Sequence, residues 1–163
     1  MLIQELTRRL QDLIDLHQQL LFIAEKKKES LIKQDIKTLQ AAVQDESKIV
    51  RRIQLSEDNR VKAVKALLHS LHLSPVEDTL SYVLEHVNGE ERALLTKLTH
   101  KLADTLSTIK MVNDQNQQLI QDALQYVHVS LDLLTPSAED FQYNAKHQEL
   151  EKSSSYSTFD SKA

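Results

Sequence analysis

The chain has 163 residues, enough for one domain with a tail, and its lack of cysteine excludes a disulfide framework and thiolate chemistry. Its net charge is −4 with acidic and basic residues interspersed, so no nucleic-acid partner is expected. The longest unbroken apolar run, residues 20–24, is far shorter than the ~20 residues that span a bilayer, and charged residues interrupt the place of a signal peptide. These features predict a cytoplasmic protein without membrane insertion.

Strong helix breakers are rare in this sequence, which contains one glycine and two prolines: Gly89, Pro75 and Pro136. Between them the apolar residues keep heptad spacing over long stretches. The fold is therefore predicted to be all-α: an elongated antiparallel helical bundle or coiled coil of three long helices plus one short helix. We expect a helical domain over residues 1–134 and a flexible, disordered polar tail over residues 135–163.

The predicted helices follow from capping residues. The first helix runs over about residues 2–32, and Asp35 can cap the second, so the two are expected to fold back antiparallel. The second continues to about Leu73, and residues 74–77 (Ser-Pro-Val-Glu) form a capping box for a short third helix. A second possible capping box at Asn88 starts the last helix, which can run to Leu134.

Charged residues interrupt the seam predicted for the second helix. Glu57 and Arg60 are three residues apart, a spacing at which they can pair. We interpret Glu46, Glu57 and Arg60 as residues that specify helix register, a known role of polar groups in a seam; the alternative is that they mark a binding position. The whole predicted seam consists of Ile36, Leu39, Val43, Glu46, Val50, Ile53, Glu57, Arg60, Val64, Leu67 and Leu71.

The last helix carries Asn113 and Asn116 on adjacent turns of an otherwise apolar face. Their amides could lock the protein's own packing or hydrogen-bond an incoming helix. The segment beyond them is apolar nearly all round, and such a helix end needs more than one neighbour. Its apolar residues are Leu119, Ile120, Ala123, Leu124, Tyr126, Val127, Leu131, Leu133 and Leu134.

The tail holds four of the seven aromatic residues of the chain: Phe141, Tyr143, Tyr156 and Phe159. Either these aromatics are simply solvated, or they bind a pocket of a partner, since aromatic side chains give much contact area for little lost freedom. Phe141 and Tyr143 are the preferred candidates because they lie just beyond the last helix.

Catalysis is not expected. Helical di-metal sites need Glu-x-x-His pairs, and no acidic residue stands three positions before any histidine. His69 and His72 are interpreted as helix-end residues, because a cation suits the negative end of the helix dipole. With one glycine, no glycine-rich phosphate loop can form. We therefore predict a binding protein without metal or other cofactor.

The sequence resembles the FlgN family, the export chaperones of the flagellar hook–filament junction proteins. The resemblance extends from the first helix to about Tyr143. It is carried by the order and spacing of several short motifs: residues 30–35 (SLIKQD), 45–47 (DES), 59–60 (NR), 113–120 (NDQNQQLI) and 134–136 (LTP).

The resemblance implies a mechanism. A client junction protein would lay its C-terminal helical segment against the apolar end of the last helix. The predicted client-binding residues are Asn113, Asn116, Leu119, Ile120, Ala123, Val127 and Leu131. Phe141 and Tyr143 are predicted to contact the flagellar export gate.

Two alternatives stay open at this point. The seams could pair only with copies of the same chain, giving a homodimer or another homo-oligomeric structural coiled coil without a client. An enzyme with a metal held by the histidines is the second alternative.

Overall fold

The computed structural model describes residues 2–73 and 80–134, and the regular elements in this part of the chain are all α-helices. They are α1 (Leu2–Lys33), α2 (Ile36–Ser70), α3 (Leu80–His86) and α4 (Gly89–Leu134). The prediction of an all-α fold with three long helices and one short helix is confirmed. The capping box predicted at residues 74–77 and the predicted tail lie outside the described residues.

The chain divides into two units, residues 1–120 and residues 121–163. The first contains α1, α2, α3 and α4 as far as Ile120. Of the second, residues 121–134 are described. No helix in the described ranges is both long enough and apolar enough to cross a bilayer.

The connection between α1 and α2 is tight, and Asp35 has a part in both helix ends. Gln34 has a left-handed backbone (φ 56°), and the amides of Gln34 and Asp35 donate to the carbonyl oxygens of Leu31 (3.2 Å) and Ser30 (2.9 Å). This is a Schellman motif. The Asp35 carboxylate then accepts from the amide (3.0 Å) and the hydroxyl (2.6 Å) of Thr38. Asp35 is therefore the predicted N-cap of α2.

The end of α2 lies a few residues before the predicted position, at Ser70 rather than Leu73. His72 is left-handed (φ 58°), and the amides of His72 and Leu73 donate to the carbonyl oxygens of His69 and Leu68, both at 3.1 Å. A second Schellman motif therefore ends this helix. Its left-handed residue is a histidine, so the sequence offered no glycine to signal it.

The larger of two core clusters among the described residues joins all four helices, and we call it the four-helix cluster. Burial of each large aliphatic side chain there contributes about 1.5–3 kcal/mol. It consists of Leu6, Leu10 and Ile14 of α1, Ala63, Val64, Leu67 and Leu68 of α2, Val83 of α3, Val87 just after α3, and Leu95 and Leu98 of α4. A smaller cluster of Ile23, Ala42 and Ile49 joins α1 to α2.

These contacts give the helix directions within residues 1–120. Lys27 of α1 pairs with Glu46 of α2, whereas the first part of α1 packs on the last part of α2, so these two helices are antiparallel as predicted. The beginning of α4 shares a cluster with the beginning of α1, and Asn116 further along α4 contacts Ala24 further along α1. Helices α1 and α4 are therefore parallel.

Along α4 the buried residues keep heptad spacing as far as Asn116: they are Leu95, Leu98, Ile109, Val112 and Asn116. The first half of α2, in contrast, departs from its predicted seam. The residues buried there are Ala42 and Ile49, whereas Val43 and Val50 remain nearly half exposed. A shift of one residue rotates a helix by about 100°. Because the small Ala42 side chain permits close approach to α1, α2 turns its Val43 face away from that helix.

Candidate binding surfaces

The last part of α4 is the most exposed apolar segment in the described chain. Between Gln121 and Leu134, Ser130 is half-buried and the other residues are exposed. The large apolar members, which we call the α4-end surface, are Leu124, Tyr126, Val127, Val129, Leu131, Leu133 and Leu134. Contiguous exposed apolar patches of this kind mark interaction sites.

The α4-end surface covers more than one side of the helix, as predicted. Leu124, Val127, Leu131 and Leu134 recur every three or four residues along one side, and Tyr126, Val129 and Leu133 do so along another. The predicted client-binding residues Ala123, Val127 and Leu131 are all exposed here.

The other four predicted client-binding residues lie within residues 1–120. Asn113 and Leu119 are half-buried, and Ile120 is exposed. Asn116 is buried, and its Nδ2 donates to the carbonyl oxygen of Ala24 at 2.9 Å. Of the two interpretations of the asparagine pair, this contact supports the protein's own packing for Asn116, so the surface proposed below leaves Asn116 out.

Glu46 forms an ion pair between two helices. The Lys27 Nζ lies 2.6 Å from Glu46 Oε1, and both side chains are largely buried between α1 and α2. An ion pair at such a position favours one register of the two helices, because any slip would leave two charges without partners in a place poor in water. This geometry agrees with the register role predicted for Glu46.

Glu57 and Arg60 form the pair predicted from their spacing. The guanidinium of Arg60 binds the carboxylate with two hydrogen bonds, from Nε at 2.8 Å and from Nη2 at 2.6 Å. The hydrogen bonds from Arg60 hold the pKa of Glu57 below its ordinary value, and the carboxylate in turn raises the pKa of Arg60. Both side chains therefore stay charged at neutral pH.

The Glu57 and Arg60 pair borders a cavity among the four helices, of about 480 Å³. Its lining is mainly aliphatic. The lining residues are Leu10, Leu13 and His17 of α1, Ile53, Glu57 and Arg60 of α2, Leu80 of α3, and Leu102 and Leu106 of α4.

Sequence reasoning missed a groove on another side of the α1 and α2 pair, with three apolar side chains among polar and charged ones. Phe22 is strongly exposed and, with Ile23 and Ile49, lines a groove of about 780 Å³. The signal was present, because Phe22 lies in the longest apolar run. Heptad spacing does not point to Phe22, because Phe22 is not a seam residue.

The predicted gate residues Phe141 and Tyr143 lie outside the described residues. Within the described ranges, no three His, Asp or Glu side chains lie close enough together to hold a metal ion.

Three long helices, one of which exposes a large apolar surface, are typical of a helical binding protein. Comparison with known proteins identifies the family. The family model described as "FlgN protein" matches residues 1–151. A relative from Bacillus subtilis (strain 168), described as "Uncharacterized protein YvyG", is 35% identical over 156 residues, which are 95% of this chain and 95% of the relative. No solved structure matches the chain. The chain belongs to the FlgN family.

Membership confirms the resemblance inferred from the sequence motifs. FlgN proteins are flagellar export chaperones, a family of binding proteins and not of enzymes. The general role of this chain is therefore to bind substrates of flagellar export.

Proposed function

We propose that this protein is a cytoplasmic chaperone that binds the C-terminal helical segment of hook–filament junction proteins. It prevents their premature assembly and delivers them to the export gate of the flagellar type III secretion system. The observation that carries this proposal, beside family membership, is the α4-end surface with its seven large apolar residues exposed.

The chemistry of the α4-end surface suits helix-in-groove recognition. A client helix with apolar residues three and four positions apart would pack along Leu124, Val127 and Leu131. Each side chain fully buried by the client would contribute up to about 1.5–3 kcal/mol. Ordering the client segment costs about 2–5 kcal/mol, which keeps the affinity low enough for release.

Delivery to the gate is assigned to Phe141 and Tyr143, which follow α4 after a short polar stretch. A chaperone must hold its client and present it to the export apparatus at the same time. Separate residues for the two contacts permit this, because neither partner then displaces the other. Removal of the chain from residue 141 onwards should block export in cells while client affinity in vitro is retained.

A homodimer without a client is the competing proposal, since the α4-end surface could equally be covered by a second copy. Light scattering of the purified protein with and without a junction protein separates the two. A chaperone forms a mixed complex of defined mass, whereas a structural dimer keeps its mass when the junction protein is added.

The experiment that tests the client surface replaces Leu124 and Val127 together by Asp. Desolvating two new charges in the contact should weaken client binding at least about tenfold in titration calorimetry. The matched control replaces Gln121 and Gln125 by Asp, which adds the same charge to the same segment at polar positions. Equal affinities of the two variants would reject the α4-end surface as the client site.

A further inference from the structure

One stripe of α2 changes from buried to exposed along its length. Ile36, Val43, Val50, Glu57 and Val64 are spaced seven residues apart and so lie on nearly the same side of the helix. Val64 is fully buried in the four-helix cluster, which includes the α3 residue Val83. The exposed fraction rises to 45% at Val50, 46% at Val43 and 62% at Ile36. The stripe is thus covered near α3 and uncovered towards the beginning of α2.

A stripe on α4 has the same character. Leu106, Asn113 and Ile120 are also seven residues apart, and Leu106 and Ile120 are 44% and 40% exposed. Leu106 and Glu57 line the same cavity, together with Leu80, the first residue of α3. The two stripes therefore start on either side of α3 and continue as the facing walls of a groove. We call this the α2/α4 groove.

Helix α1 forms the floor of the α2/α4 groove, and two polar contacts attach the walls to it. Nδ2 of Asn116 on α4 donates to the carbonyl oxygen of Ala24 at 2.9 Å. Glu46 on α2 pairs with Lys27 at 2.6 Å. Both walls are therefore attached to nearly the same turn of α1, around residues 24–27. This turn lies further along α1 than Leu6, Leu10 and Ile14, which share a cluster with α3. This arrangement explains why a buried asparagine and a buried ion pair lie in otherwise apolar seams.

The α2/α4 groove has the length of a short helix. Helix α3 has seven residues and covers one end of it. The distance along α2 from Val50 to Ile36 is 14 residues, about 21 Å or four helical turns. A helix satisfies its own backbone hydrogen bonds between apolar walls, which an extended segment cannot do.

We propose that the α2/α4 groove binds an amphipathic helix of the export client. The bound helix would lie beyond α3 and would be the fourth helix beside α1, α2 and α4 there. This inference rests on the proposed chaperone function and adds a second contact to the α4-end surface. The charged groups of the groove are already paired within the chain, so its occupant presents an uncharged, aliphatic face.

The size of the α2/α4 groove favours a client over a second copy of the chain. Its five partly exposed aliphatic side chains offer on the order of a few hundred Å² of apolar area. Obligate homodimers bury roughly 2,000–5,000 Å² in total, whereas transient partners use much smaller interfaces. A client that must be released at the gate fits this smaller area.

The absence of cysteine from the sequence permits a direct test by site-specific cross-linking. Val43→Cys and Val50→Cys, each carrying a benzophenone, should cross-link to a purified hook–filament junction protein from the same bacterium. The control is Leu55→Cys, since Leu55 is exposed but lies about 140° around α2 from Val50. The proposal would be overturned if Leu55→Cys cross-linked to the junction protein as strongly as the groove variants do. It would also be overturned if the groove variants cross-linked to a second copy of the chain instead.

A binding experiment separates the groove from the proposed function. Replacing Val43 and Val50 together by Asp should raise the Kd for the junction protein about tenfold in calorimetry. The matched control replaces Leu55 of α2 and Met111 of α4 by Asp, since both side chains are exposed and lie outside the groove, and it should bind normally. If the wild-type protein binds no junction protein, the proposed function falls, and this inference with it. If it binds and the groove variant binds equally well, the groove alone is rejected. The near-isosteric cysteine variants decide the matter should the Asp variant unfold.

Discussion

The two ends of α4 contrast in burial although both are rich in leucine. Leu95, near the start, is 0% exposed in the four-helix cluster, whereas Leu133, near the end, is 81% exposed. The first end is apolar along one stripe that meets three other helices, and the second is apolar on more than one side. The contrast teaches that apolar residues show where a helix needs a neighbour. Their arrangement around the helix indicates whether one neighbour suffices.

The largest expected effect on stability comes from truncating Leu95 at the buried end of α4, with Leu133 at the exposed end as the comparison. Leu95→Ala should lower the free energy of unfolding by about 2–5 kcal/mol, because it leaves a cavity in a packed core. Leu133→Ala should change it by no more than about 0.5 kcal/mol. Urea unfolding followed by circular dichroism measures both. Similar losses from the two substitutions would remove the contrast between the two ends.

Asn116 tests the boundary between the buried and the exposed part of α4. Asn116→Leu removes a buried amide whose Oδ1 has no hydrogen-bond partner among the described residues. We expect the free energy of unfolding to rise by about 1 kcal/mol, because an apolar side chain of similar size replaces a partly satisfied polar one. Client affinity measured by calorimetry should stay within about twofold, because the Asn116 side chain is buried against α1 and is not exposed in either proposed surface. A large loss of affinity at unchanged stability would return Asn116 to the client site.

A smaller effect on stability is expected from a substitution in the turn between α1 and α2. Because this turn lies within residues 1–120, the change should stabilise that unit alone and so sharpen the contrast with the exposed end of α4. Gln34→Gly relieves the cost of a left-handed backbone and should raise the free energy of unfolding by about 0.5–1 kcal/mol. The control Gln40→Gly, at an exposed position within α2, should lower it by about 1 kcal/mol. Client affinity should not change in either variant. Destabilisation by Gln34→Gly would show that its side chain, and not its backbone, matters there.

The smallest effect is a pH dependence at the same turn. The hydrogen bonds from Thr38 lower the pKa of Asp35, so the folded state binds this proton more weakly than the unfolded state does. Its contribution to stability is present above the ordinary Asp pKa of about 3.9 and is lost as the pH falls through the lower folded pKa.

The variant that isolates this effect is Asp35→Asn, because asparagine caps a helix nearly as well but does not titrate. Its thermal midpoint should fall less steeply than that of the wild-type protein as the pH is lowered below about 4.5. Parallel pH profiles of the two proteins would show that Asp35 contributes nothing to acid sensitivity. Val127→Asn provides a control outside residues 1–120 and should leave the slope unchanged.

Much of this fold could be predicted from the sequence, because its signals are local. The Asp35 cap depends on the next few residues, and the Glu57 and Arg60 pair depends on helical spacing. The exposure of Val43 could not be predicted, since heptad spacing does not say which of two adjacent apolar stripes meets α1. The contact of Asn116 was also out of reach, because its partner is a backbone carbonyl group 92 residues away.

The tight connection at Gln34 and Asp35 also has a consequence for the order in which the protein folds. It brings α1 and α2 together through contacts between residues that are near in sequence, such as Lys27 and Glu46, 19 positions apart. Local contacts of this kind form fast, whereas the contact of α4 with α1 at Asn116 and Ala24 must close a loop of about 90 residues. During synthesis the α1 and α2 pair can assemble as soon as both helices have left the ribosome. The floor and one wall of the α2/α4 groove would then be in place before the other wall is made.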